Sequence, residues 1–317
     1  MVAVSVVVAA RNAQDTIGRT LEALRAQDLR QEWEVVVVDD GSTDSTAQIA
    51  SQVAEVDPRF RLVSQSSAGP AHARNRGVAE ASGELLAFTD ADCFPLPGWL
   101  TAAVAAAAGG ADLVQGLVAP DPGRPAGPFD RTVWVSSEVG LYETANLIVR
   151  RSAFERAGGF EDWLRPRRGK AMAEDVWLGW RVRRGGGRTV FCPEAEVHHA
   201  VFERSARDYV EERLRLEHFP EIVARVPELR ETLCWGRLFL SRRTAAFDAA
   251  LAGIAAAAAA RSALPLAAAL PYAGMSVGRA ARFRSSAPKA MAVDLVADAV
   301  GLAALVRGSV AARTPLL

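Results

Sequence analysis

Val2 to Ala10 is an apolar, β-branched-rich run of the kind expected in a parallel strand covered on both faces, and Ile17, Leu21 and Leu24 follow it at helical spacing. The unit then repeats. Trp33 to Val38 predicts a second strand, followed by a Gly-Ser-Thr-Asp turn and a helix whose apolar stripe includes Ile49, Val53 and Val56. Phe60 to Val63 predicts a third strand, Pro70 to Ala81 a third helix and Leu85 to Thr89 a fourth strand. Strands alternating with helices in this way imply an α/β fold around a parallel sheet with right-handed crossovers. Further along, Leu113 to Val118 and Ala195 to His199 read as strands, with a Pro- and Gly-rich loop from Asp121 to Phe129 between them.

In open sheets of this type ligands bind beyond the carboxyl ends of the strands, so the polar residues that follow each strand matter most. They are Arg11 and Asn12 after the first, Asp39 and Asp40 after the second, and Asp90 and Asp92 around Ala91 after the fourth. Two carboxylates at one strand end suit a hard cation, Mg²⁺ or Mn²⁺, shared with substrate phosphates. An acid at the end of the second strand is placed to hydrogen-bond a base or ribose. The absence of Gly-x-Gly-x-x-Gly after the first strand argues against a dinucleotide cofactor. Glu174 and Asp175 open an amphipathic helix, where carboxylates serve either as a cap favoured by the helix dipole or as a general base. His198 and His199 end a strand as candidate metal ligands, and Trp99, Trp134, Trp163, Trp177 and Trp180 read mostly as packing, with one or two available to stack on a sugar.

Composition narrows the classes. The 317 residues hold 37 basic and 37 acidic side chains, which leaves no global positive field to recruit nucleic acid. Cys93, Cys192 and Cys234 form neither a disulfide framework nor a zinc knuckle, and the apolar start lacks a positive leader, so a cytoplasmic catalytic body is expected.

Six segments carry a resemblance to the family 2 glycosyltransferases, inverting enzymes of GT-A fold. They are VSVVVAARN, EVVVVDDGSTDST, GPAHARNRGVAEASGE, LLAFTDADC, NLIVRRSAFERAGGF and AEDVWLGWRV, in order over about 200 residues. The resemblance implies that Asp40, with Asp39 beside it, reads the nucleotide base, and that the backbone from Ala9 to Asn12 lines its pocket. Arg74 and Asn75 are then similar to a segment bordering the nucleotide, with Asp90 at the ribose and Asp92 on the metal. His198 resembles a histidine that completes the metal site, and Asp175 resembles the catalytic base, with Glu174 as second choice. The implied reaction takes a sugar from a nucleoside-diphosphate sugar to a glycan or lipid-linked acceptor. The Gln-x-x-Arg-Trp signature of processive synthases is absent from Arg204 to Phe219, which favours one transfer per encounter. The rivals are a silent scaffold subunit and a sugar-nucleotide pyrophosphorylase; the Ala-Arg-Asn after the first strand disfavours the latter. The expected division is a nucleotide-binding half over 1–120, an acceptor and base half over 121–240, and a helical tail over 241–317.

That tail holds nine basic residues and three acidic ones from Arg242 onward. Thr244 to Ala260 and Ser262 to Gly278 approach the length of a membrane span but are alanine-rich and interrupted. Met291 to Val306 reads as an amphipathic helix with Asp294 and Asp298 on its polar side and Leu295, Val296, Leu302, Leu305 and Val306 in its apolar stripe. Two placements stay open: the helices pack on protein or form a homodimer interface, or they rest on the inner face of a membrane, where Arg279, Arg282, Arg284 and Lys289 would meet anionic headgroups.

Overall fold

Valines at alternate and successive positions of the first two strands have nowhere to go but inward, because helices cover both faces of the sheet. The computed structural model describes residues 2–166 and 171–317. In it the chain forms two compact units, residues 1–125 with 132–201 and residues 126–131 with 202–317, so that residues 202–240 group with the helical tail.

The first unit contains β1 (Val4–Ala10), α1 (Ile17–Arg25), β2 (Trp33–Asp40), α2 (Thr46–Val56), β3 (Phe60–Gln65), α3 (Pro70–Glu80), β4 (Leu85–Asp90), β5 (Cys93–Pro95) and α4 (Trp99–Ala108). It continues with β6 (Leu113–Pro120), β7 (Leu147–Arg150), α5 (Arg151–Ala157), α6 (Glu174–Arg184) and β8 (Thr189–His199). Among the described residues the sheet order is β3-β2-β1-β4-β7-β6-β8-β5. The four strands at the β3 end are parallel, as expected. The rest is mixed: β7 runs antiparallel to β4 and β6, β6 pairs β8 in parallel, and β5 runs antiparallel to β8.

Val4, Val6 and Val8 of β1 pack with Ile17, Leu21 and Leu24 of α1 in one apolar core, all of them fully buried. The α2 stripe is shorter than its sequence suggests: Ile49 and Val53 pack on that core, whereas Val56, the last residue of the helix, is exposed. A buried amide joins the two halves of the sheet. Asn146 donates from Nδ2 to the Leu117 and Ala195 carbonyls, at 2.8 and 2.7 Å, and accepts from Trp99 Nε1 at 2.8 Å. Residue 116 must be glycine here, since a Cβ would lie 2.2 Å from Asn146 Nδ2, and a bulge between Gly116 and Leu117 shifts the β6–β8 register. On α6 a similar close approach places Gly179 against the buried Tyr142 ring, 2.0 Å from where a Cβ would stand. Gly179→Ala is therefore expected to cost about 1–3 kcal/mol by overpacking, read as a lower midpoint in urea unfolding; an unchanged midpoint would mean the ring moves aside freely.

The second unit carries α7 (Ala206–Glu212), α8 (Phe219–Arg225), α9 (Leu229–Thr232), α10 (Arg242–Ala260), α11 (Leu270–Ala280) and α12 (Ala287–Ala312), with 3₁₀ turns after α7, α10 and α11. The expected amphipathic helix is present in α12, but its orientation is the reverse of a water-facing one. Asp294 is buried, accepts from Tyr209 Oη at 3.1 Å and pairs with Arg279. Asp298 is held by Arg243 at 2.6 Å and Tyr272 at 2.8 Å. Leu305 is buried with the acids, while Leu295, Val296 and Val306 face outward. Packing explains the inversion. Gly301 and Gly308 let the same side of α12 lie against Leu216 and the Glu217 backbone, so the two acids that precede them on that side are carried inward and must be paired. Among the described residues, Arg242–Ala260 is the one helix long and apolar enough to cross a membrane by length and composition.

Candidate active site

The carboxyl ends of β1 and β2 are joined by their own loops. Asn12 takes a left-handed backbone (φ 49°), its N–H donates to Ser42 Oγ at 3.0 Å and its Oδ1 accepts from Thr43 N at 2.9 Å. Ala13 N–H donates to Thr46 Oγ1 at 2.7 Å. The Asn12 side chain is thus spent on loop geometry, leaving Arg11 exposed beside it. Asp40 is committed in the same way. Its carboxylate accepts from Gln65 Nε2 at 2.7 Å, Ala68 N at 2.8 Å and Gly69 N at 3.0 Å. Burial alone would raise its pKa, but these hydrogen bonds outweigh it and hold the carboxyl below the usual range. Asp39 accepts from Ser42 N, at 3.2 Å or longer, and so retains acceptor capacity. Asn75 closes on the Phe160 backbone, donating to its carbonyl at 2.8 Å and accepting from its N–H at 2.9 Å, which commits both ends of the amide to the protein backbone.

Arg74 joins the end of β4 to the start of α6. Its buried guanidinium donates to Asp90 Oδ1 at 2.9 Å and Glu174 Oε1 at 2.8 Å. Glu174 is therefore compensated. Asp175 is not compensated in the same way: its Oδ1 accepts from the Val176 N–H at 2.8 Å. Burial first, then the Glu174 carboxylate and more weakly Glu143, push Asp175 well above the usual carboxylate range, against the pull of that amide and of Arg74. Glu143 is itself raised by burial. The residue before this pair, Ala173, sits in the left-handed region (φ 64°), and its carbonyl accepts from Trp163 Nε1 at 3.0 Å. A non-glycine there costs about 1–2 kcal/mol, and such strain tends to collect at functional sites.

The third strand end is built by pairing across the sheet. Buried Thr20 pins the Ala91 carbonyl at 2.9 Å, and Ala200 N–H donates to the Asp92 carbonyl at 2.9 Å. The β5–β8 register sets Cys93 opposite His199 and Phe94 opposite His198. Because side chains alternate along a strand, the two histidines point to opposite faces. His198 turns to Glu196, with Nε2 and Oε1 3.1 Å apart. It is His199 that comes to Asp92, with Nε2 3.5 Å from Oδ1, while its Nδ1 meets the Ala200 carbonyl at 2.7 Å. One ligand atom each from Asp92, Cys93 and His199 fall within 4.8 Å of one another. Burial first, then Asp90 and Asp92, raise the Cys93 thiol well above its ordinary value, and its soft sulfur is a poor match for Mg²⁺ or Mn²⁺. A carboxylate and an imidazole oriented through its other nitrogen remain. That donor set fits Mn²⁺ or Mg²⁺ with several positions left for phosphate and water.

A Rossmann-like parallel half ending in acidic residues, continued by a mixed half that brings an acidic helix start and a histidine to the same unit, is the GT-A architecture of glycosyltransferases. Residues 5–155 match the family described as Glycosyl transferase family 2, and that part of the chain belongs to the family. It is 34% identical over 172 residues to glycosyltransferase AglE of Haloferax volcanii, covering 51% of this chain and 57% of that one. It is 31% identical over 236 residues to the succinoglycan biosynthesis protein ExoO of Rhizobium meliloti, covering 70% of this chain and 66% of that one. Among its first named relatives the chain spans between 25% and 66% of their length. The fold is shared with the mannosyltransferase PcManGT from Pyrobaculum calidifontis, solved with GDP-Man and Mn²⁺, at a TM-score of 0.64 and 24% identity over 94% of this chain and 86% of that one.

Proposed function

We propose that this chain transfers one sugar per encounter from a nucleoside-diphosphate sugar to an acceptor hydroxyl, with inversion and with a divalent ion, in building a cell-envelope or polysaccharide glycan. The observation that carries the reading is Asp175: a carboxylate raised by burial and by like charges, set beside the Arg74 bridge from Glu174 to Asp90. A raised carboxyl is matched to taking a proton near neutral pH. Asp175 removes the proton from the acceptor oxygen as that oxygen bonds to the anomeric carbon. The bond from that carbon to the diphosphate oxygen breaks on the opposite side, with its electron pair leaving on the diphosphate. Arg74 keeps Glu174 and Asp90 in place without itself giving up a proton. Asp39, rather than the committed Asp40, has the acceptor capacity to read a base, with the Ala9–Asn12 backbone beside it. Asp92 and His199 would hold the ion, which when bound supplies neutralisation of charge on the departing diphosphate. The helices after residue 241 would attach the enzyme to the inner surface of a membrane, where a lipid-linked acceptor is found.

Calorimetric titration with UDP, GDP, dTDP and CDP, each with Mn²⁺ and with EDTA, tests this reading. One diphosphate is expected to bind and to need the ion. His199→Ala should weaken the Mn²⁺-dependent part by at least about tenfold, and His198→Ala should leave it nearly unchanged. The opposite ranking would return the metal site to His198. Failure of every diphosphate to bind the folded protein would sink the transferase reading.

A further inference from the structure

The outer surface of the second unit from α10 to α11 has the wrong polarity for water, unlike the α7–α9 part, which exposes Arg207, Glu211, Glu231 and Arg237. From residue 249 to residue 278 the sequence has one charged side chain, Arg261. Most of that stretch is exposed, with Leu264 82% and Leu270 69% accessible, and Leu251 and Ile254 of α10 outward as well. All three acids of the tail are turned away from solvent. Asp248 has both carboxylate oxygens shut from water without a hydrogen-bond partner, Asp294 is buried against Arg279, and Asp298 is held by Arg243 and Tyr272. Arg261, Arg282, Arg284 and Lys289 are exposed. The exterior of α10 to α12 is thus largely apolar with a cationic margin, and a helix that hides aspartates while showing leucines is at its lowest free energy where the outside is not water.

We infer that this face, from the outward side of α10 through α11 to the outward stripe of α12, lies in the surface layer of an anionic bilayer without crossing it. The inference rests on the membrane attachment proposed above and specifies its mode. Charge complementarity chooses the occupant: an anionic headgroup layer matches Arg282, Arg284 and Lys289, whereas a second copy would set those cations against an equally cationic margin. Packing excludes a span for the long helix α12, whose inner side lies along the residues following α7. It also folds α10 back on the next turn, because Gly253 lets the Pro265 carbonyl approach to 2.6 Å from where a Cβ would be. Apolar side chains buried to the acyl boundary with a basic rim are the signature of an in-plane anchor.

The test is co-sedimentation of the full chain with phosphatidylcholine vesicles and with vesicles also containing phosphatidylglycerol, at low and high salt. Binding is expected on the anionic vesicles, weakened by salt. Leu264→Glu with Leu270→Glu should cut it more than tenfold, and Arg282→Gln or Lys289→Gln by about fivefold each. All these variants should keep the thermal midpoint and diphosphate binding, which separates failure of the anchor from failure of the transferase reading. No sedimentation with either vesicle would overturn the inference, as would equal, salt-independent binding to both. So would a dimer in analytical ultracentrifugation that the two leucine changes convert to monomer while vesicle binding is absent.

Discussion

Asp175→Asn should lower transfer by about 10²- to 10⁴-fold, the range for loss of a general base, with diphosphate binding unchanged. The pH dependence should change with it. Burial and the neighbouring carboxylates raise Asp175 in the folded protein, so the acidic limb of kcat/KM is expected above the usual carboxylate range and should vanish in the variant. Stability carries the same signature. A carboxyl whose folded pKa is raised contributes stability that is complete below its unfolded pKa of about 4 and is lost as pH rises through the folded value. Asp175→Asn should therefore melt close to the parent in acid and above it at neutral pH, by about 1 kcal/mol or a few degrees. An active, unstabilised Asn variant would move the base to Glu174 or elsewhere.

Arg74→Met should produce the largest loss of stability. It removes the cation between two carboxylates and leaves Glu174, itself buried, beside the raised Asp175. Stranding a buried charge costs about 3–5 kcal/mol, or about 10 °C in a unit of this size. Adding Glu174→Gln should restore much of it, because the two sites are coupled. Denaturant unfolding of the single and double variants measures both numbers; a single variant losing less than about 1 kcal/mol, or a double variant no better, would show that the bridge is not what holds α6 to β4.

The parallel half of the fold was readable because each strand and helix there announces itself locally: Ile17, Leu21 and Leu24 are spaced for one face and are all buried on it. The mixed half was less so. Leu147–Arg150 is short, and its antiparallel place between β4 and β6 depends on partners far along the chain. The same limit governs the site. That acids follow β2 and β4 could be read directly, but which member of a neighbouring pair serves a ligand is a matter of register and of loop hydrogen bonds. Asp40 is taken by Ala68 and Gly69, and His199 rather than His198 shares a face with Cys93, because β5 and β8 meet in that register. The two strands each end near an acid or an imidazole, and period-two alternation was available, but it names a face only once the partner is known. In α12 the angular positions of Asp294 and Asp298 were legible; which side the rest of the unit would claim was not.

The β5–β8 pairing also sets an order of events during synthesis. Asp92 leaves the ribosome early, within a half that can pair its own strands, while His199 arrives with the last strand to join the sheet. A nascent chain halted before β8 has the loops after β1 and β2 and still lacks His199, one side of the proposed ion site. On the proposed assignment, metal capture would then report that the sheet has closed, and donor handling would begin only when the whole unit has been made.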